Sequence, residues 1–183
     1  MNHVMLNASD TALAVIDVQG KLATLMHDRE SLYRNLQILV RGARVLELPV
    51  LWLEQYPEGL GPTIPEVSEL LSGQEPLAKT CFSAWGQPDF VRLLEESGRR
   101  QVLVAGIETH ICVYQTVRDL RDRGYVVEVV EDAVSSRTAE NKRVGLDKAR
   151  AAGAGITSVE TALFELLREA GNPGFREIAR LVK

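Results

Sequence analysis

The stretch VLVAGIETHICVYQTVRDL, residues 102–120, passes from a short apolar run into a helical pattern. Val102–Ala105 is the clearest continuous apolar run in the chain, which is typical of a strand buried on both faces. A helix is predicted from near Thr109 to about Arg123, and Gly124 is well placed to end it. The stretch therefore predicts a buried strand that leads directly into a helix, as in a βαβ unit.

The same alternation continues on both sides of this stretch. Predicted strands cover Ala12–Ile16, Val50–Leu53, Leu77–Thr80, Val102–Ala105, Val126–Val130 and Gly155–Val159. Helical patterns cover Leu32–Leu46, Glu66–Leu71, Asp89–Glu96 and Asn141–Ala152, and one or two helices finish the chain. Alternation at this spacing indicates a parallel sheet with helices on both faces. We predict an α/β fold of three layers, doubly wound and Rossmann-like, as a single domain over residues 1–183.

Composition and charge exclude several classes of protein. The chain of 183 residues is 45% apolar and 25% charged, with a net charge of −4 and no basic block that would read phosphates. The first residues do not resemble a secretory signal, and no apolar stretch approaches the roughly 20 residues of a membrane span. Two cysteines suit a reducing compartment. We predict a cytoplasmic protein that binds neither nucleic acid nor membranes.

The predicted strand order, 3-2-1-4-5-6, places the ligand crevice between strands 1 and 4, at their carboxyl ends. Asp17 ends strand 1, and the segment that contains Cys112 follows strand 4. If Thr109 caps the helix, Cys112 lies in its first turn, where free N–H groups and the helix dipole stabilise a thiolate. A lowered pKa of the thiol would make Cys112 a nucleophile. A buried, inert cysteine is the alternative.

Two charged residues are candidate partners of this cysteine. Asp17 follows an apolar run at the end of a central strand, where an unpaired charge is costly to bury. It would act as a general base toward the thiol, or else cap the following turn. Lys79 follows an outer strand, so its side chain must reach inward to pair with Asp17 and favour the thiolate. A surface lysine is the alternative.

Four motifs occur in one order and spacing. They are IDVQ at 16–19, KTCFSAW at 79–85, GIETHICVYQTVRDL at 106–120 and GYVVEVVEDAVSSR at 124–137. Together, from about Thr11 to Glu160, they resemble the isochorismatase-like cysteine hydrolases. The stretch EQYPEGLGPTIPE at 54–66 most resembles the isochorismatase domain-containing proteins within that family.

This resemblance implies a site. The catalytic triad of the family falls on Asp17, Lys79 and Cys112. A non-proline cis peptide bond falls between Ile107 and Glu108, and the backbone N–H groups of Glu108 and Cys112 would then form the oxyanion hole. The resemblance implies no cofactor and assembly as a dimer or larger homo-oligomer.

Departures from the family pattern narrow the chemistry. Nicotinamidase-type members bind a metal through an aspartate and histidines after the second strand, where this chain reads LEQYPEGLG, and no histidine occurs between His27 and His110. We therefore predict no metal. True isochorismatases cleave a vinyl ether and need no cysteine, so Cys112 favours acyl chemistry. We predict a cysteine hydrolase, an amidohydrolase that cleaves a C–N bond of a small-molecule substrate through a Cys112 acyl-enzyme.

Other functions stay open at this stage. A catalytically silent binding or scaffold protein would retain the same fold. A nucleotide- or flavin-binding module of the doubly wound class is disfavoured by the missing G-x-G-x-x-G fingerprint.

The predicted pocket has three further candidate lining residues, Gln19, Phe82 and Trp85. Phe82 and Trp85 fit core or subunit contacts equally well. Cys81 lacks a following helix start, so we interpret it as structural. His110 either acts as an acid or base or simply faces solvent.

Overall fold

The computed structural model describes residues 4–183; residues 1–3, and His3 with them, lie outside the described residues. Within residues 4–183 the six strands of the sheet are β1 Thr11–Ile16, β2 Val50–Gln55, β3 Leu77–Lys79, β4 Gln101–Ile107, β5 Val126–Ser135 and β6 Gly155–Thr157. Their order is β3-β2-β1-β4-β5-β6, and every neighbouring pair is parallel. The predicted strand order is confirmed.

Helices cover both faces of this sheet, as predicted. They are α1 Gly20–Thr24, α2 Arg29–Val45, α3 Pro57–Leu60, α4 Pro65–Ser68, α5 Pro88–Glu96, α6 Tyr114–Asp122, α7 Ala139–Ala151, α8 Val159–Leu167 and α9 Phe175–Leu181. On one face, α2, α8 and α9 bury Leu36, Leu163 and Ile178 against the sheet. On the other face, α5 and α6 bury Phe90 and Val117. Among residues 4–183 no helix is both long and apolar enough to cross a bilayer.

Strand β5 runs well beyond the end predicted at Val130. The polar residues Glu131 and Asp132 interrupt the apolar run, and the register between β4 and β5 shifts at this point, between Val104 and Gly106. Pairing then resumes where Gly106 lies opposite Val134. An irregularity of this kind is invisible to a search for uninterrupted apolar runs. Because pairing resumes after the shift, the carboxyl ends of β4 and β5 lie side by side, and the site forms there.

Gly106 allows β4 to approach β1 closely near the carboxyl ends of the two strands. Its φ is +112°, and a Cβ at this position would lie 2.0 Å from the carbonyl oxygen of Ile16 on β1. Both the conformation and the close approach therefore require glycine.

We expect Gly106→Ala to lower the free energy of unfolding by about 3 kcal/mol or more, because backbone strain and steric overlap add. Gly98→Ala is the matched control, since its φ is also positive at +68° but no atom lies within 4 Å of the added Cβ. It should cost only about 1 kcal/mol. Urea unfolding of both variants checks this, and equal losses would contradict the steric argument.

Candidate active site

The structure brings Asp17, Lys79 and Cys112 together at the carboxyl ends of the central strands. Asp17 follows β1, Lys79 ends β3 and Cys112 lies in the turn after β4. The three residues are 2%, 4% and 7% exposed, respectively. Lys79 Nζ lies 2.8 Å from Asp17 Oδ2. The cluster is therefore a buried ion pair beside a buried thiol.

The Lys79 ammonium is held by acceptors from three parts of the chain. Besides Asp17, it donates to Gln55 Oε1 at 2.6 Å. It also donates to the carbonyl oxygens of Cys81 at 3.2 Å and Phe82 at 3.0 Å. The side chain therefore reaches inward from the outer strand, and four oxygen atoms surround its ammonium. Gln55 was not identified from the sequence, because nothing distinguishes it from any other polar residue at a strand end.

Asp17 has one oxygen bound and one free. Oδ2 accepts from Lys79, whereas Oδ1 is buried and has no hydrogen-bond partner among the described residues. Burial raises the pKa of the Asp17 carboxyl above its ordinary value, and the neighbouring Lys79 and Cys112 partly oppose that rise. A partly desolvated carboxylate with a free oxygen is a stronger proton acceptor than an aspartate in water.

We expect Lys79→Met to lower the free energy of unfolding at pH 7 by about 3–5 kcal/mol, because it leaves the buried Asp17 carboxylate without its partner. The loss should shrink as the pH falls, since a protonated Asp17 no longer carries the unpaired charge. Urea unfolding at pH 7 and pH 5 measures both effects. The double variant Asp17→Asn/Lys79→Met is the control and should recover part of the loss at pH 7. A loss below about 1 kcal/mol at pH 7 would show that the pair contributes little to the fold.

The prediction of a lowered thiol pKa at Cys112 is wrong for the resting protein. Burial raises the pKa of the Cys112 thiol well above its ordinary value; the Asp17 carboxylate adds to the rise, and Lys79 opposes it. The thiol lies among apolar side chains that include Ile16 and Val113. Desolvation therefore disfavours the thiolate, and Cys112 rests as the neutral thiol.

The turn that carries Cys112 also differs from the predicted helix start. Residues Thr109–Val113 form a π-helical turn before α6, and Glu108 rather than Thr109 is its cap residue. The Glu108 carbonyl oxygen accepts from the N–H groups of Ile111 and Val113 at 3.0 and 3.2 Å. The peptide bond between Ile107 and Glu108 is cis, at the position that the resemblance implied.

On the other side of the site, Glu108 pairs with Arg137, which follows β5. Glu108 Oε2 accepts from the backbone N–H of Arg137 and from its Nε, each at 3.1 Å. Next to this pair, His110 Nδ1 lies 3.0 Å from Ser136 Oγ. Arg137 is the last residue of the motif GYVVEVVEDAVSSR, and nothing in that motif distinguishes it as a site residue. Only the side-by-side ends of β4 and β5 place it near Glu108.

The three predicted pocket residues occupy different environments. Gln19 is fully buried, and its amide binds the Gln55 N–H and the carbonyl oxygens of Gln55 and Gly61. It therefore braces the loops around Lys79 and has no free amide group for a ligand. The Trp85 ring packs against Tyr125, a contact that is consistent with the core alternative. The Phe82 side chain is exposed, and its carbonyl oxygen binds Lys79.

A hollow of 270 Å³ opens beside Lys79. It is lined by Tyr56, Pro57, Glu58, Ala78, Lys79, Thr80, Cys81, Gly86, Gln87 and Pro88. Cys81 packs closely against Gly86, where an added Cβ would lie 2.6 Å from its sulfur. Within residues 4–183, no group of three or more His, Cys, Asp or Glu side chains is arranged to hold a metal ion.

Comparison with known proteins identifies the family. The isochorismatase domain model matches residues 11–161. The chain belongs to the isochorismatase family. It is 44% identical to isochorismatase domain-containing protein 2 of Macaca fascicularis over 146 residues, which are 79% of this chain and 69% of that relative. The predicted branch of the isochorismatase family is thereby confirmed.

Two solved structures share the fold of this isochorismatase-family chain. MAR1 ribonuclease from Caenorhabditis elegans aligns with a TM-score of 0.92 and 35% identity, over 98% of this chain and 92% of that chain. The Escherichia coli YcaC gene product, an octameric hydrolase of unknown specificity, aligns with a TM-score of 0.93 and 25% identity, over 99% and 92% of the two chains. The family is thus of hydrolase type, and the reaction differs or is undefined among its members.

Proposed function

We propose that this protein hydrolyses a C–N bond of a small amide through an acyl-enzyme on Cys112. The observation that carries the proposal is the pairing of a buried thiol with a carboxylate that has one oxygen fixed and one oxygen free. Lys79 holds Asp17 Oδ2, and Oδ1 has no hydrogen-bond partner among residues 4–183. The Asp17 carboxylate is also close enough to the thiol to raise its pKa. A nucleophile beside an oriented base is the arrangement that covalent catalysis requires.

The neutral resting state of the Cys112 thiol determines the order of the catalytic steps. Because the thiol is neutral, Asp17 accepts its proton while Sγ attacks the carbonyl carbon and the carbonyl π electrons move to oxygen. The N–H groups of Glu108 and Cys112 stabilise that oxyanion. When the oxyanion collapses, the C–N bond breaks and the leaving amine takes the proton from Asp17. Water then attacks the thioester, Asp17 accepts a proton from the water and returns it to sulfur, and the carboxylic acid is released.

A panel of small amides tests this proposal. Ammonia or amine release is measured for each compound, and peptide mass spectrometry searches for an acyl adduct on Cys112. Cys81→Ser is the matched control, because Cys81 is also a free cysteine of the described chain but lies outside the triad. It should retain both turnover and the adduct. A panel without turnover, combined with a Cys112 thiol that no electrophile modifies in the folded protein, would favour the scaffold function instead.

RNA cleavage is the second candidate, because MAR1 ribonuclease shares the fold. We favour the amide reaction because the net charge of −4 repels a phosphate backbone and a thiol attacks carbonyl carbon readily. Single-stranded RNA is therefore added to the panel. Its cleavage by wild-type protein, with no amide turned over, would reverse this choice.

We further propose that the chain is a single domain that forms homo-oligomers in the cytoplasm and needs no cofactor. The oligomer is supported by the octameric state of the Escherichia coli neighbour. Native mass spectrometry determines the subunit number directly.

A further inference from the structure

Gln55 lies directly beside Lys79 in the sheet. The two residues are register partners on β2 and β3, and Gln55 Oε1 accepts from Lys79 Nζ at 2.6 Å. This contact is the shortest of the four that the ammonium makes, since Asp17 Oδ2 lies at 2.8 Å and the two carbonyl oxygens lie farther away. At the other end of the amide, Gln55 Nε2 donates to the carbonyl oxygen of Thr80 at 2.7 Å. The Gln55 amide is therefore fixed through both its oxygen and its nitrogen.

The chemistry of these partners leaves the Gln55 amide only one orientation. An ammonium has donors alone, so it must face the amide oxygen, and a carbonyl oxygen only accepts, so it must face the amide nitrogen. The backbone of Gln55 is fixed as well. Gln19 Oε1 accepts from the Gln55 N–H at 2.6 Å, and Gln19 Nε2 donates to the Gln55 carbonyl oxygen at 3.1 Å. Gln55 therefore presents one oxygen atom to Lys79 from a position that its own contacts determine.

We propose that Gln55 is a positioning residue, whose neutral oxygen fixes the Lys79 ammonium and leaves its positive charge to act on Asp17. This inference rests on the proposed function and adds a residue to its site. Of the four oxygens around the ammonium, only that of Asp17 belongs to a carboxylate. A second carboxylate in contact with the ammonium would compensate its charge and weaken its effect on the first. A glutamine fixes Lys79 without that loss.

The charged groups around the thiol determine what a further carboxylate would do. Lys79 lowers the pKa of the Cys112 thiol, whereas the Asp17 and Glu108 carboxylates raise it. The Glu54 carboxylate in turn raises the pKa of Asp17. A further carboxylate in contact with Lys79 would give this cluster one more negative charge. The pKa of the Cys112 thiol would then rise, and the thiolate fraction at a given pH would fall.

Gln55→Glu tests the proposal, because it keeps the shape of the side chain and places a carboxylate next to the ammonium. The measured quantity is the rate at which iodoacetamide alkylates Cys112 between pH 7 and pH 9, resolved by peptide mass spectrometry. The thiolate sulfur displaces iodide, so the rate follows the thiolate fraction. We expect alkylation of Cys112 to be about tenfold slower than in the wild-type protein, because the pKa of the thiol rises.

Gln87→Glu is the matched control. The Gln87 amide also donates to a carbonyl oxygen of β3, that of Ala78, and it lines the hollow beside Lys79. It is not one of the four partners of the Lys79 ammonium. The substitution therefore removes the same kind of donor and adds the same charge without touching the ammonium. Alkylation of Cys112 should change by less than about twofold.

The double variant Asp17→Asn/Gln55→Glu is the second test. It keeps one carboxylate in contact with Lys79, so it retains a buried ion pair even if Gln55→Glu alone folds poorly. Alkylation of Cys112 should be about tenfold slower in the double variant than in Asp17→Asn alone. Thermal unfolding followed by circular dichroism establishes which variants are folded.

Two results would overturn the inference. One is a folded variant with Gln55→Glu whose Cys112 rate stays within about twofold of that of its parent. The other is an equal loss in Gln87→Glu, which would assign the effect to support of β3 rather than to the ammonium. Either result leaves the proposed function standing as long as Cys112 of the wild-type protein reacts. A wild-type Cys112 that does not react would overturn both.

Discussion

Cys112→Ala is expected to lower kcat/KM toward any amide that the protein turns over by at least about 10⁴-fold, because the acyl-enzyme cannot form without the sulfur. Cys112→Ser is expected to be nearly as inactive. It keeps the shape of the side chain, but the serine hydroxyl is a far weaker nucleophile than a thiol under the same base. Ammonia release under first-order conditions in substrate measures both variants. Cys81→Ala, which removes the other free cysteine, is expected to retain wild-type kcat/KM.

Cys112→Ser and Cys112→Ala together distinguish covalent attack by Cys112 from direct attack by water. If Cys112→Ala retained more than about one hundredth of the wild-type kcat/KM, hydrolysis would proceed without covalent attack, with Asp17 acting on water directly. If Cys112→Ser retained substantial activity and Cys112→Ala did not, the nucleophile would be confirmed, and the oxyanion hole rather than the thiol would dominate the rate.

Asp17→Asn is expected to separate catalysis from thiol reactivity. Turnover should fall by about 10³-fold, because the variant has no base to accept the thiol proton. Alkylation of Cys112 by iodoacetamide at pH 7 should instead become faster, by about tenfold or more. The Asp17 carboxylate raises the pKa of the Cys112 thiol in the wild-type protein, and Lys79 lowers it. Removal of the carboxylate therefore leaves the Lys79 ammonium to stabilise the thiolate.

Alkylation rates between pH 6 and pH 9 measure this effect, with Cys81 in the same samples as the reference. The Cys112 curve of Asp17→Asn should rise at lower pH than that of the wild-type protein. A fall in both turnover and alkylation would mean that Asp17 mainly holds the site together and does not act as the base. Thermal unfolding of the variant identifies that case.

The sheet could be predicted because its strands are short apolar runs such as Ala12–Ile16 and alternate with helical patterns. That Asp17, Lys79 and Cys112 lie together was implied by the family resemblance of the motifs that contain them. The state of the thiol could not be predicted, because it depends on how deeply packing buries Cys112 and not on its distance from a helix start. Glu108 and Arg137 contact each other only because β4 and β5 end side by side. The register between these strands changes before that point, and the hydrophobic periodicity of the sequence does not show this change.

Gln19 is a second residue whose role could not be predicted from the sequence. Gln19 stands two residues after Asp17 in IDVQ and was a predicted pocket residue. Its amide instead binds the backbone of Gln55 and Gly61. A position close to a reactive residue in the sequence does not show whether a residue contacts the substrate. Such a residue can instead position the side chains that do so.

Lys79 has a consequence for how this protein would lose activity. Its ammonium joins the ends of β1, β2 and β3 and the loop at Cys81 and Phe82, yet β3 is a strand of only three residues at the edge of the sheet. Short edge strands are among the first segments to open locally. When β3 detaches, the carboxylate of Asp17 loses its counter-charge at the same moment. Heat or denaturant would then break the Asp17–Lys79 pair while the central strands are still folded, so the proposed activity would be lost before the fold.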